Sequence, residues 1–122
     1  MRIKSFLLLL IIATSSHAKE ESAIGYGTVD AALTALKEKP DTKLSVQGGW
    51  TIIEDKEDGN FVLWSFTPES HEAHPAAVKR TILEKDKHIY VRMSALCQAE
   101  KEPCDKLMEQ FEQLNKQIMA GR

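Results

Sequence analysis

The chain has 122 residues, 16 of them basic and 18 acidic, for a formal net charge of −2. That length admits one domain and excludes a two-domain enzyme or a large α/β barrel. The near-neutral, slightly acidic balance argues against nucleic-acid binding, which draws on a basic stripe.

The N-terminus opens Met1-Arg2-Ile3-Lys4, runs from Phe6 to Ala13 without a polar residue, and closes on Ser16-His17-Ala18. Basic, apolar and small-x-small regions in that order mark an export signal. A membrane anchor needs about 20 apolar residues, more than this run supplies. No cysteine follows the cleavage point, which argues against a lipid anchor. Cleavage after Ala18 leaves 104 residues with 14 basic and 18 acidic side chains, a charge of −4. The expected organisation is a signal peptide over 1–18, a flexible lead-in over 19–27 and a single domain over 28–122. The mature protein is then periplasmic or secreted, with no membrane span.

A first helix starts after Thr28, a suitable N-cap, and carries Val29, Ala32, Leu33 and Leu36 at the spacing of a buried stripe. Pro40 stops it. Leu44 and Val46 alternate with polar neighbours in a first strand, and Gly48-Gly49 turns the chain into Trp50-Thr51-Ile52-Ile53. Asp58-Gly59-Asn60 is a second turn, and the acidic run Glu54, Asp55, Glu57 and Asp58 reads as its solvated flank. Strand three covers Phe61 to Phe66, and a loop from Thr67 to Ala77 follows. Val78 to Glu84 is a fourth strand, Lys85-Asp86-Lys87 turns, and His88 to Leu96 is a fifth.

The last helix is the clearest element. Pro103 suits its first turn, and Glu102 and Asp105 favour the positive end of its dipole. Cys104, Leu107, Met108, Phe111, Leu114 and Ile118 form one apolar stripe, and Gly121 ends it. The order helix, five-stranded meander, helix predicts an α+β domain with the helices on one face of an antiparallel sheet.

Export places Cys97 and Cys104, the only two cysteines, in an oxidising compartment where they pair. Their spacing suits neither a redox Cys-x-x-Cys nor haem attachment. Cys97 shares a strand face with Ile89, Val91, Met93 and Ala95, and Cys104 lies on the stripe of the last helix. The bond therefore joins two apolar faces.

Strand three is apolar on both sides, with Phe61 and Leu63 on one and Val62, Trp64 and Phe66 on the other. With the helices on a single face, the second face leaves Trp64 and Phe66 open beside Tyr90, Arg92 and Arg80. Trp64, Phe66, Tyr90 and Arg92 are thus a candidate partner surface. The alternative is a curled or covered sheet in which Trp64 is core.

His71-Glu72-Ala73-His74 is the one dense group of metal-capable side chains, and His71 and His74 are candidate ligands. Pro75 works against the helical geometry that would hold them on one side. The chain lacks a Gly-x-Ser-x-Gly elbow and a phosphate-cradling glycine loop, and its cysteines are not free nucleophiles. No enzymatic activity and no cofactor is expected.

The segment Trp64-Ser65-Phe66-Thr67-Pro68-Glu69-Ser70-His71-Glu72-Ala73-His74-Pro75-Ala76, with Leu96-Cys97 and Cys104-Asp105 downstream, resembles small exported proteins of Gram-negative bacteria. The resemblance spans most of the mature chain. It implies export and the cysteine pair, and carries over no functional residues. The expected function is a periplasmic, non-catalytic binding or accessory protein that contacts a protein or envelope component and no nucleic acid. Two alternatives are an inhibitor of a secreted or host enzyme such as lysozyme, acting through the loop Gln98 to Pro103, and weak metal binding at the histidine loop.

Overall fold

The computed structural model describes residues 23–121. The expected signal peptide and the first residues of the lead-in lie outside them. The elements are α1 (Val29–Glu38), β1 (Lys43–Gln47), β2 (Trp50–Glu57), β3 (Asn60–Phe66), β4 (Ala76–Lys85), β5 (His88–Cys97) and α2 (Lys101–Met119). The five strands form one antiparallel sheet in chain order. The α+β class, the meander and the Cys97–Cys104 disulfide all match the expectation.

Local chemistry accounts for the boundaries. The Thr28 hydroxyl accepts the Ala31 N–H at 3.0 Å, satisfying one free donor of the first turn of α1. Lys39, before Pro40, is extended, and α1 ends there. The hairpins turn at Gly48-Gly49, Asp58-Gly59 and Asp86-Lys87, with both central residues of each at positive φ. That backbone matches the twist of the flanking strands. Gly49 has a second reason to be glycine, because a Cβ there would stand 3.3 Å from Pro68.

Register and alternation sort the strands into two faces. Ile53, Val62, Trp64, Phe66 and Ala77 lie on one and cluster with Val29, Ala32 and Leu36 of α1. Ala76 and Val78 lie on the other and cluster with Leu107 and Phe111 of α2. The helices therefore cover opposite faces, which corrects the expectation that both share one. A strand apolar on both sides is what a sheet between two helices requires.

The lead-in is also part of the fold where it is described. Ile24 is buried in the α1-face core, and the Tyr26 ring meets Trp64 edge-on at 6.0 Å.

The disulfide ties the end of β5 to the first turn of α2. Three further links lock the same end of the sheet. The Gln98 side chain accepts the Val29 N–H at 2.9 Å, and the Gln98 backbone N–H donates to the Pro75 carbonyl at 2.9 Å. Thr67 Oγ1 accepts the Ala76 N–H at 3.0 Å across the base of the loop.

Candidate functional site

The α1 face is closed where the partner surface was expected. Trp64 retains 1% of its surface and Phe66 3%, both beneath α1. Tyr90 and Arg92 do share that face by register, and both are exposed. The four residues thus lie on one face without forming one accessible surface, which corrects the expectation. The side chains beside Trp64 and Val62 on β4 are Lys79 and Thr81, while Arg80 points to the opposite face. Lys79 lies over the Trp64 ring at 5.5 Å and donates to Glu57 at 2.8 Å.

The histidines serve the loop. His71 accepts the Ala73 N–H through Nδ1 at 3.0 Å and packs edge-on against Trp50 at 5.4 Å. His74 Nδ1 bonds Thr67 Oγ1 at 2.9 Å, ahead of a cis His74–Pro75 peptide. One nitrogen of each ring is thus already engaged. Among the described residues, no three His, Cys, Asp or Glu side chains gather as a metal set.

The segment Gln98 to Pro103 is anchored at its first residue and runs directly into α2, with Gln98 and Glu100 exposed. Gln98 bonds both Val29 and Pro75, and residues from Lys101 onward already belong to α2.

The acidic run is solvated at Glu54 and Asp58, but Asp55 departs from the expectation. Glu54, Asp55 and Glu57 lie in β2, and Asp55 is 4% exposed, with its carboxylate on the Lys39 ammonium at 2.7 Å. It also accepts the Lys56 N–H at 2.7 Å. A cleft of about 700 Å³ opens beside this pair, lined by Lys39, Lys43 and Lys56 against Asp41, Glu54 and Asp55. Three cations offset three anions there, so the cleft favours neither charge.

Comparison with protein-family models, curated proteins and solved structures gives no match to this chain.

The α2 face is different, because its helix covers only part of it. Along α2, Leu107, Phe111, Leu114 and Ile118 follow one line, since eleven residues make about three turns. Leu107 and Phe111 are buried, whereas Leu114 and Ile118 keep 45% and 38% of their surface. The sheet residues on this face lose cover in parallel. Ala76 and Val78 are buried, Leu63, Ile82 and Val91 are half-buried, and Phe61 is exposed. Apolar surface is thus left open beside the last turns of α2 and on the adjoining sheet residues, and this is the apolar wedge of the α2 face.

Arg80 lies where the buried half meets the open half. Its guanidinium carbon stands 4.9 Å from the Phe111 ring centroid, and burial holds its pKa below the ordinary arginine value. Its Nε is sealed from solvent and has no hydrogen-bond partner among the described residues. Asn115 of α2 is sealed nearby, with Nδ2 on the Met93 sulfur at 3.4 Å and Oδ1 unpartnered. Met93 is the register partner of Arg80. The signal for this site was available in the alternation Val78, Arg80, Ile82, which sets a charge in an apolar row. Assigning Arg80 to the wrong face hid it.

Proposed function

We propose that the protein is an exported, non-catalytic binding module of the bacterial envelope that works through the open half of the α2 face. The observation that carries this reading is the apolar stripe of α2, which continues through Leu114 and Ile118 after its cover ends. Open apolar surface of this kind, rimmed by polar residues such as Glu54 and Lys56, is characteristic of a binding site. Export is supported by the N-terminal pattern of Arg2 to Ala18 and by the Cys97–Cys104 bond, which persists in an oxidising compartment. Among the described residues, no helix is long and apolar enough to cross a membrane.

The test is in-cell photo-crosslinking from position 118 in the full chain, followed by fractionation. The expected result is a discrete adduct in the periplasmic fraction that disappears when Leu114 is replaced by Glu. Retention of the protein in the cytoplasm, or an adduct indifferent to Leu114→Glu, would overturn the reading.

A further inference from the structure

The wedge carries one charge that the fold leaves unpaired. Arg80 is 8% exposed, yet among the described residues no carboxylate lies within ion-pair distance of it. The acid in its row across the sheet is Glu54, opposite Leu63 and two strands away. The acids of α2 at 105, 109 and 112 are exposed. A buried guanidinium without a counter-charge is costly, and a buried Nε without an acceptor adds to the cost. Phe111 takes one side of the guanidinium, whose carbon lies over the ring at 4.9 Å, and with Nε sealed the terminal Nη groups are the donors left for an anion.

We propose that Arg80 anchors a carboxylate site, and that the wedge takes an aliphatic chain ending in a carboxylate. This inference rests on the reading of the open α2 face as the binding surface. The head group pairs with the Arg80 guanidinium, and the chain runs along Phe61, Leu63, Leu114 and Ile118. A single guanidinium matches a monoanion, whereas a phosphate dianion calls for more positive charge than the wedge offers. The walls select the remainder of the ligand. β3 and β4 are interior strands, paired on both sides, so this part of the face presents side chains and no free backbone donors or acceptors. An extended peptide would leave its own backbone groups unpaired there, and an aliphatic chain has none.

The experiment is an NMR titration of the purified protein with octanoate and with 1-octanol, following the Arg80 Nε–H resonance and the methyl groups of Leu63, Leu114 and Ile118. Octanoate is expected to shift both sets, and to bind about ten- to a hundredfold more tightly than octanol, as a charge-assisted hydrogen bond implies. In Arg80→Met the octanoate affinity falls to that of octanol, whose own affinity is unchanged. Equal affinities in the wild type, or octanoate binding that ignores Arg80→Met, would overturn the carboxylate site while leaving the wedge standing. Failure of both ligands to move the methyl groups would overturn the wedge as well. An apolar acidic peptide that shifts Arg80 where octanoate does not would overturn the aliphatic assignment.

Discussion

Trp64 and Trp50, the two tryptophans of the chain, stand on opposite faces of the sheet and report on different helices. Trp64 lies in the core beneath α1, whereas Trp50 meets Phe111 of α2 edge-on at 5.9 Å. The pair therefore separates the two halves of the core spectroscopically, and the first two predictions use it.

Trp64→Ala is expected to cost about 3–5 kcal/mol, the range for deleting a large buried aromatic side chain. That is a large share of a total stability of about 5–15 kcal/mol. Urea unfolding measures it, and a loss under 1 kcal/mol would contradict the burial of Trp64. In a Trp50→Phe variant the remaining emission comes from Trp64 and should resist quenching by iodide. Trp64→Phe should be far milder, because it also removes an indole N–H that has no partner.

Reducing the disulfide, or replacing Cys97 and Cys104 with Ser, should lower stability by about 2 kcal/mol, the loop-entropy value for so short a closed loop. The cysteines are seven residues apart, with Cα atoms at 5.9 Å. The bond holds the start of α2 to β5, so its loss loosens that helix first. In a Trp64→Phe background the emission of Trp50, which packs on Phe111, should change before global unfolding. Synchronous loss of the Trp50 signal and the far-UV signal would show that α2 does not loosen separately.

These predictions depend on facing, and facing was only partly legible in the sequence. The stripe of Val29, Ala32 and Leu36 and the alternation of β5 correctly identified which residues share a surface. Periodicity relates residues within one element, but it says nothing of which helix covers which side of a sheet. The double-sided β3 held the missing information, since Leu63 on one side and Trp64 on the other both need cover. Asp55 was misread for a related reason. An acidic run looks solvated until a cation from a distant element, here Lys39, reaches its one inward-facing member. The left-handed Asp86-Lys87 turn carries no glycine, yet the flanking strand pattern located it.

Lys39 and Asp55 join the end of α1 to β2. Lys39→Ala would leave a buried carboxylate with only a backbone donor, at a cost of about 1–2 kcal/mol, the lower part of the range because Lys39 is partly exposed. The hydrogen bond to Asp55, chiefly, raises the Lys39 pKa above its ordinary 10.5, and burial opposes it. A value higher in the folded than in the unfolded chain gives stability that is complete below the ordinary value. That stability is lost as the pH climbs through the raised one. Alkaline unfolding should therefore be steeper in the wild type than in Asp55→Asn, as urea titrations at successive pH values above 10 will read. Parallel slopes would show that the pair contributes nothing to folding.

Arg80→Met gives the sharpest contrast between stability and binding. Removing a buried charge that has no partner relieves its desolvation, and Met keeps most of the volume and a favourable contact with the Phe111 ring. The variant loses the cation–π contact, worth about 1–2 kcal/mol when desolvated, but also removes an orphaned Nε–H. The balance should be a stability equal to the wild type or higher by about 1 kcal/mol, measured by urea unfolding. Arg80→Ala removes the same charge but leaves a cavity beside Phe111, and should be destabilised by about 2 kcal/mol or more. A residue kept for its packing would give losses in both variants. Gain or neutrality in Arg80→Met alone separates the charge from the volume, and identifies the guanidinium as a group the fold carries at its own expense.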